Sequence, residues 1–209
     1  MTGKELAVAI QNCLALFTDY ADELGDLDQA LGDGDLGITV SLGAKAASDA
    51  LTNLDDSATP AEVVLACAKA FANATPSTMA ALVAGALLAG SRTLGDATEV
   101  APGHAGKFAL AAAESISQRG KSQVGDKTIL DAMFPAAEAL LASPEGVADL
   151  GAAIEAAEAG VARSTGLQSR RGRASWLQER SIGLKDPGAT AFLRFLQSWQ
   201  AANRPAEIG

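Results

Sequence analysis

Apolar residues recur every three or four positions along most of this chain, the spacing that places them on one face of an α-helix. Leu6, Ile10, Cys13 and Phe17 follow this spacing near the start and predict a helix over residues 3–20. The same spacing predicts further helices over residues 24–31, 38–51, 60–73, 78–94, 108–118, 129–141, 144–163 and 189–202. About a fifth of the residues are alanine, the strongest helix former, whereas β-branched and aromatic residues are few. The pattern therefore predicts an all-α protein.

Helix-breaking residues separate these segments. Glycine and aspartate interrupt the pattern at residues 32–37, residues 95–106 are expected to form a loop, and residues 165–187 are polar and irregular. Thr59 followed by Pro60 is typical of a helix start. No segment alternates as a strand would, and the composition does not shift along the chain. We therefore expect a single domain over residues 1–209, a barrel or bundle of about eight helices.

Composition and charge narrow the classes of function. The chain has 209 residues and a net charge of −9, and an acidic protein repels the phosphate backbone of nucleic acids. No apolar run reaches the roughly 18 residues that a membrane-spanning helix needs. The first residues lack the apolar segment of a signal peptide, and Cys13 and Cys67 lie in apolar helical patterns. We therefore expect a cytoplasmic protein that binds neither nucleic acid nor membrane.

The sharpest local feature is an acidic, glycine-rich break after the second predicted helix. Asp28, Asp33 and Asp35 follow the spacing D-x4-D-x-D, with glycines around the last two. Carboxylates that lie together repel one another unless a cation or a proton relieves the repulsion. Mg2+ prefers oxygen ligands and leaves room for substrate phosphates, and the N–H groups of a following helix favour an anion at the same point. The break is therefore a candidate metal and phosphate site.

Simpler roles are also open to these carboxylates. Asp33 or Asp35 could instead cap the following helix, a common use of aspartate. A calcium loop of the EF-hand type is excluded, because its fifth and twelfth positions, counted from Asp33, are Gly37 and Ala44. On spacing alone, metal binding and helix capping both stay open.

Two other candidate motifs are weak. Gly120-Lys121-Ser122 resembles the end of a Walker A loop, but Ser115 occupies the place of the required first glycine and no strand precedes it. His104 is the only histidine and lies in a predicted loop, so no Ser-His-Asp set is available. We therefore predict no catalytic residue within this chain.

Residues 163–194 differ in charge from the rest of the chain. They hold two acidic residues and seven basic ones, Arg163, Arg170, Arg171, Arg173, Arg180, Lys185 and Arg194. Arginine makes bidentate contacts with phosphate, so the stretch indicates an anionic ligand or an acidic partner. The alternative is a solvated loop whose arginines pair with acidic residues elsewhere on the surface.

Three long motifs, in order along the chain, carry a resemblance to a known family. They are Leu27-Asp28-x4-Gly32-Asp33-Gly34-Asp35-x-Gly37, Arg119-Gly120-Lys121-x3-Gly125-Asp126-Lys127-Thr128-Ile129-Leu130-Asp131, and Arg171-Gly172-Arg173-Ala174-Ser175-Trp176-Leu177-x-Glu179-Arg180-Ser181-Ile182-Gly183, which continues to Asp186-Pro187-Gly188-Ala189-Thr190. They span most of the chain, which resembles the L subunit of dihydroxyacetone kinase, the DhaL-type nucleotide-binding domain. The resemblance implies an all-α barrel of eight antiparallel helices with a nucleotide at one end.

The resemblance also implies ligands and partners. Asp28, Asp33 and Asp35 would hold two Mg2+ ions that bridge the phosphates of ADP or ATP. The nucleotide-binding positions carried over by motif are Leu36, Gly37, Ile38, Thr39, Thr78, Met79, Gly120, Ile129, Arg171, Asp186, Pro187 and Gly188. A separate K subunit would bind the ketone covalently through a histidine, and an M subunit of a phosphotransferase chain could rephosphorylate ADP. This division would explain why the chain has no plausible catalytic histidine of its own.

The chain departs from the family pattern at two places. Leu36 stands where the family has His, and Thr39 where it has Asn. Pro76-Ser77-Thr78-Met79-Ala80 replaces the family's Gly-Gly-Thr-Ser-Gly turn, and without glycines the backbone approaches phosphate less closely. We expect phosphoryl transfer to dihydroxyacetone or a similar short ketose. The alternatives are an ATP-dependent kinase subunit for a four-carbon sugar and a non-catalytic, nucleotide-binding regulatory protein.

Overall fold

The computed structural model describes residues 1–204 and, within them, contains nine α-helices, two 3-10 segments and no β-strand. The α-helices are α1 Gly3–Phe17, α2 Ala21–Leu31, α3 Leu36–Thr52, α4 Pro60–Ala74, α5 Thr78–Arg92, α6 Pro102–Gly120, α7 Leu130–Leu141, α8 Leu150–Thr165 and α9 Pro187–Ala202. The 3-10 segments are Thr18–Tyr20 and Arg173–Ser181. The all-α prediction is confirmed. Among the described residues, no helix is both long and apolar enough to cross a membrane.

Eight of the helices close into a ring. Each helix from α3 to α8 packs on the next, α9 packs on α1, and α1 returns to α3 and α4. Mostly short connections make successive neighbours antiparallel. The remaining helix, α2, lies against α3 and α9. This arrangement places the α2–α3 connection, which carries the acidic break, beside the start of α9.

Small residues allow the helices to approach closely. On α7 and α8 the contact includes the fully buried Ala132 and Ala157. Gly160 is closer still, since a Cβ there would come within 2.0 Å of the carbonyl oxygen of Asp131. The alanine-rich composition therefore serves helix packing as well as helix propensity.

Three predicted boundaries differ from the structure. Helix α6 begins at Pro102, inside the residues expected to form a loop. There Nδ1 of His104 accepts a hydrogen bond of 3.0 Å from the backbone N–H of Ala101 and so caps the start of the helix. Helix α8 begins late, at Leu150, because Asp149 caps it by accepting from Ala152 N–H. The stretch after α8, expected to be irregular, contains the 3-10 segment Arg173–Ser181.

Candidate functional site

The acidic break brings three carboxylates together, as its spacing suggested. Asp28 lies in the last turn of α2, Asp33 lies in the connection, and Asp35 directly precedes α3. One carboxylate oxygen from each lies within 4.8 Å of the others. We call these three residues the acidic triad. In the part of the chain that the structure describes, no other group of three potential metal ligands lies so close together.

Glycines shape the turn that joins these carboxylates. Gly34 adopts a φ of +76°, a conformation that side-chain-bearing residues rarely take. Gly32 ends α2, and a Cβ there would come within 2.7 Å of Oδ1 of Asp28. Gly37 lies where α3 crosses α2, and a Cβ there would meet the carbonyl oxygen of Ala21 at 2.1 Å. The glycines of the motif therefore let α2 and α3 converge on the triad.

The carboxylates of the triad repel one another. Partial desolvation, together with repulsion from Asp33 and Asp28, raises the pKa of Asp35. The side chain of Asp35 makes no capping hydrogen bond to α3, whereas Leu36 N–H donates to Oδ2 of Asp28 at 3.2 Å. Three crowded oxygen ligands of like charge suit a hard divalent ion.

A cavity of about 160 Å³ opens beside the triad. Its charged walls come from two parts of the chain that are distant in sequence, Asp28 and Asp33 on one side and Arg171, Arg173 and Asp186 on the other. This volume is below the about 300–1,000 Å³ of pockets that enclose drug-sized ligands, so it suits the charged end of a ligand rather than a whole nucleotide.

The two arginines on this wall are held differently. Arg173 donates from Nη1 to Oδ1 of Asp33 at 2.9 Å. Arg171 donates from Nε to Oδ2 of Asp126 at 3.0 Å, and the Asp126 side chain is only 4% exposed. Arg171 is among the predicted site residues, whereas Arg173 is predicted only as one of the seven basic residues of the stretch 163–194. The structure places both at the cavity and puts Arg173 in contact with the acidic triad.

Asp186 and Pro187, which the resemblance assigns to the nucleotide site, also line the cavity. Asp186 is buried and caps α9 by accepting a 2.7 Å hydrogen bond from Ala189 N–H. Burial raises the pKa of Asp186 to about 7, although the Ala189 N–H bond acts in the opposite direction. A carboxyl group that titrates near neutrality therefore lies in the wall of the site.

The residues after the triad contribute backbone rather than side chains. Leu36 is buried in a cluster with Phe17 and Leu24, and Thr39 is buried as well. Gly37 faces α2, so in this first turn of α3 only the side chain of Ile38 is exposed. The first turn of α3 can therefore offer the N–H groups of Gly37 and Ile38 to an anion, since Leu36 N–H already donates to Asp28. Leu36 and Gly37 offer no polar side chain.

The predicted residues of α5 lie next to the same cluster. Thr78 begins α5 and is exposed, and Ser77 before it makes no side-chain cap, which leaves the first N–H groups of this helix available. Met79 packs against the cluster that contains Leu36. The two apolar departures, Leu36 and Met79, thus fill one hydrophobic cluster.

Gly120 and Ile129 do not line the cavity but connect to it. A Cβ on Gly120 would lie 3.9 Å from Leu82 of α5, and Leu82 and Ile129 pack on one hydrophobic cluster. A Cβ on Gly188 would lie 3.3 Å from the Cβ of Ile129. Ile129 therefore packs beside Gly188, the residue that follows the cavity-lining Pro187.

Not all the basic residues of the C-terminal third face the cavity. Arg194 of α9 makes a bidentate ion pair with Glu23 of α2, donating from Nε to Oε2 at 2.8 Å and from Nη2 to Oε1 at 2.6 Å. Its guanidinium also stacks over Tyr20, 4.9 Å from the ring centre. This pair raises the pKa of Arg194 and lowers that of Glu23. Its effect is to attach α2, and with it Asp28, to α9.

A second groove, of about 210 Å³, lies on α1 and the α3–α4 connection. Its charged residues are Lys4, Asp55 and Asp56. Lys4 pairs with Asp56, and Asp55 accepts from Ser57 within its own turn. Although this groove is the larger, its charges are satisfied locally, and the acidic cavity remains the better candidate site.

The fold is an antiparallel ring of helices. Its acidic, glycine-rich connection faces arginines from a later connection. Together these features define a class of all-helical domain. Residues 30–201 match the DAK2 domain family. The chain belongs to this family, the DhaL-type domain of dihydroxyacetone kinases.

Several characterised proteins share this domain. The chain is 32% identical over 204 residues to L-erythrulose 1-kinase of Mycolicibacterium smegmatis, a match that covers 94% of this chain and 35% of that protein. It is 35% identical over 166 residues to the ADP-binding subunit DhaL of a PEP-dependent dihydroxyacetone kinase of Listeria innocua, covering 79% of each. The crystal structure of the dihydroxyacetone kinase from C. freundii in complex with AMP-PNP and Mg2+ has the same fold, with a TM-score of 0.74 and 23% identity over 94% of this chain and 33% of that one. The chain thus spans about a third of the two longer proteins.

Proposed function

We propose that this chain is the Mg-nucleotide-binding component of a kinase that transfers a phosphoryl group to dihydroxyacetone or a similar short ketose. The observation that carries the proposal is a cavity lined by Asp28 and Asp33 of the acidic triad on one side and by Arg171 and Arg173 on the other. Carboxylates and guanidinium groups side by side suit a ligand that carries both divalent cations and phosphates. The Listeria relative is described as an ADP-binding subunit, and the C. freundii structure holds AMP-PNP and Mg2+.

The acidic triad fits Mg2+. Its donors are all carboxylate oxygens, they lie within 4.8 Å of one another, and repulsion among them raises the pKa of Asp35. Asp28, Asp33 and Asp35 would hold the two proposed ions. Bound Mg2+ supplies neutralisation of the charge on the transferring phosphoryl group.

Protein groups around the triad would bind and orient the phosphates. The free N–H groups at the starts of α3 and α5 favour an anion at both helix ends. Arg171 and Arg173 add donors that match phosphate oxygens. Asp186, Pro187 and Gly188 would cover the nucleotide, while Gly120 and Ile129 would border its base and ribose. Positioning and charge neutralisation account for most of what phosphoryl transfer requires from a protein.

The chain would act with a partner that holds the acceptor. The one histidine of the chain, His104, does not line the cavity and is held at the start of α6 by the N–H of Ala101. The chain matches most of the Listeria subunit but only a third of the longer M. smegmatis kinase, so the acceptor site is expected on a K-type subunit or domain. An M-type phosphotransferase subunit is the expected phosphate donor if ADP stays bound between turnovers.

The acceptor could carry four carbons instead of three. The M. smegmatis relative is described as an L-erythrulose 1-kinase. The altered turn at residues 76–80 is consistent with a subfamily that acts on another short sugar. A non-catalytic regulatory role is less favoured, because the departures Leu36 and Met79 pack together into one cluster and leave the triad intact.

Native mass spectrometry of the purified chain tests the nucleotide proposal directly. We expect a retained or added ADP accompanied by two Mg2+ ions, and calorimetry should show Mg2+-dependent ADP binding. No ADP binding in the presence of Mg2+ would contradict the proposal. Reconstitution with a K-type partner, assayed on dihydroxyacetone and erythrulose with ATP or a phosphorylated M-type subunit, then identifies acceptor and donor, and complete absence of transfer would favour the regulatory alternative.

A further inference from the structure

Lys127 holds a fully buried ammonium group that the proposed phosphate chemistry does not use. The residue is 1% exposed. Its Nζ donates three hydrogen bonds to backbone carbonyl oxygens, those of Thr165 at 3.1 Å, Leu167 at 3.0 Å and Ser181 at 2.7 Å. These acceptors use all three protons of a lysine ammonium.

The three carbonyls stand at the two ends of one loop. Thr165 ends α8, Leu167 follows it, and Ser181 ends the 3-10 segment, so a single ammonium closes the base of residues 167–181. We call residues 167–181 the arginine loop. Two further bonds support its base, from Ser169 N–H to Ser181 Oγ at 2.9 Å and from Gly183 N–H to Thr165 O at 2.8 Å.

The loop between these ends carries Arg171 and Arg173, the two guanidinium groups of the cavity. Asp126, next to Lys127 in sequence, binds the same loop twice: its carbonyl accepts from Arg170 N–H at 3.0 Å and its carboxylate from Arg171 Nε. Residues 126 and 127 therefore hold both the base of the loop and one of its arginines.

A tight turn holds Lys127 in this position. Lys127 has a φ of +60°, which a side-chain-bearing residue adopts only at a cost. The carboxylate of Asp131 fixes the turn by accepting from Gly125 N–H at 2.7 Å and Thr128 N–H at 2.8 Å.

Burying an ammonium group carries a desolvation penalty that packing alone does not require. Desolvation lowers the pKa of Lys127, while the nearby carboxyl groups of Asp186 and Asp131 act in the opposite direction. An apolar side chain of similar volume would often be less costly in a position that serves packing alone. Its three carbonyl contacts give the ammonium a role that an apolar side chain cannot fill.

We propose that Lys127 is a positioning residue whose ammonium closes the base of the arginine loop and thereby holds Arg171 and Arg173 in the wall of the cavity beside the acidic triad. The inference rests on the proposed nucleotide site and deepens it. Lys127 touches neither the triad nor the cavity, so it acts through the arginines. By ordering the loop before the ligand binds, it reduces the entropy that is lost on binding.

The test compares Lys127→Met with the matched control Lys107→Met, which changes an exposed lysine of α6. Both are made in a Trp199→Phe background, where Trp176, 79% exposed on the arginine loop, is the one remaining tryptophan. Lys127→Met should lower the fluorescence anisotropy of Trp176 and speed amide hydrogen exchange in residues 167–181, while exchange in α4 is unchanged. Lys107→Met should alter neither.

Calorimetry with ADP and Mg2+ supplies the functional readout. Lys127→Met should raise the Kd for ADP about tenfold, because only a fraction of molecules then present both arginines. In combination with Arg173→Ala the loss should be smaller than the product of the two single losses, since both changes disable the same group. If Lys127 had only a general structural role, Lys127→Met would change hydrogen exchange throughout the ring of helices. Its effect on the Kd would then multiply with that of Arg173→Ala.

Two outcomes would overturn the proposal. One is that the arginine loop of Lys127→Met is as ordered as in the parent protein. The other is that the losses of binding free energy caused by Lys127→Met and Arg173→Ala are fully additive. Lys127→Gln keeps two donors and serves as the second variant if Lys127→Met does not fold, with the same expected direction. The loop measurements need no nucleotide, so failure of the parent protein to bind ADP would contradict the proposed function without affecting the test of loop closure.

Discussion

Arg173 donates a hydrogen bond of 2.9 Å from Nη1 to Oδ1 of Asp33, although 140 residues separate the two in the chain. The contact joins the arginine loop to the acidic triad. The side chains are 59% and 39% exposed, and ion pairs this exposed contribute at most about 1 kcal/mol to stability. We therefore expect the pair to matter for ligand binding rather than for stability, since it keeps a guanidinium group beside the proposed phosphate position.

Arg173→Ala should weaken Mg-ADP binding with little change in thermal stability. A lost charge-assisted hydrogen bond to phosphate corresponds to about 1–3 kcal/mol. The affinity is measured by calorimetry at fixed Mg2+, and the melting temperature by circular dichroism. The exposed Arg180 lies on the same loop outside the cavity wall, so Arg180→Ala should leave the affinity unchanged. Equal losses in the two variants would show that the net charge of the loop, rather than Arg173 itself, attracts the nucleotide.

Arg171→Ala should affect both affinity and stability. The partner of Arg171, Asp126, is almost fully buried, and removing the guanidinium leaves its carboxylate with the N–H of Gln123 as a remaining donor. We expect a loss of about 1 kcal/mol in the free energy of unfolding, besides weaker nucleotide binding of about 1–3 kcal/mol. Urea titration and calorimetry measure the two effects separately. Unchanged affinity would mean that Arg171 serves only to hold the loop on Asp126.

Asp33→Ala should abolish Mg2+-dependent ADP binding and leave the helical fold intact. Asp33 is exposed in a connection, so its removal costs no core packing, but it takes a ligand from the triad. Asp26→Ala is the matched control, because Asp26 is an exposed carboxylate of α2 outside the triad. Calorimetry and far-ultraviolet circular dichroism give the two readouts. Wild-type ADP affinity in Asp33→Ala would contradict the metal assignment.

The sequence predicted the parts of the molecule that depend on local pattern. Alanine-rich, helix-spaced segments gave the all-α fold, and the D-x4-D-x-D spacing with its glycines predicted that three carboxylates converge. Both follow from short-range geometry: the glycine turn between Asp28 and Asp35 closes within eight residues. The late start of α8 and the early start of α6 were missed because they depend on the single caps Asp149 and His104.

The other wall of the site depends on long-range contacts that the pattern does not contain. Spacing alone could not separate Arg171 from Arg173, since both stand in one basic motif and only the path of the loop puts Arg173 on Asp33. Lys127 reads as a surface lysine in a polar loop, yet it is buried because its carbonyl acceptors come from residues 38 to 54 positions away. Its presence in a long motif was the one available signal.

Asp186 should make the stability of the protein fall as pH rises from about 4 to about 7. Burial raises its pKa from 3.8 to about 7, so the folded protein binds this proton more tightly than the unfolded chain. This contribution is fully present below the unfolded pKa and is lost as pH rises through the folded one, with a size on the order of a few kcal/mol. Urea titrations without Mg2+ or nucleotide, repeated across this range, measure the slope.

Asp186→Asn is the control for the pH dependence. Asparagine keeps an oxygen acceptor for Ala189 N–H but does not titrate. Asp35 contributes a slope of the same sign, because its pKa is also raised, so the difference between parent and variant isolates Asp186. The lowered pKa of Glu23 acts below its ordinary value of 4.5 and in the opposite direction. An unchanged slope in the variant would show that Asp186 is already ionised in the folded protein at acid pH.

Gly37→Ala should weaken both the fold and the proposed metal site. A Cβ at this position would lie 2.1 Å from the carbonyl oxygen of Ala21, which is backbone of α2 and cannot rotate away. Helix α2 must therefore shift from α3, which costs about 1–3 kcal/mol and moves Asp28 away from Asp33 and Asp35.

Gly103→Ala is the matched glycine control, because no other atom lies within 4 Å of its added Cβ in the first turn of α6. It should be neutral or stabilising by up to about 1 kcal/mol. Urea titration and Mg2+-dependent ADP calorimetry measure both variants. If Gly37→Ala lost ADP affinity at unchanged stability, Gly37 would contact the nucleotide itself; if it lost stability at unchanged affinity, α2 could move without disturbing the triad. A parallel loss of both is expected, because the same helix crossing positions Asp28.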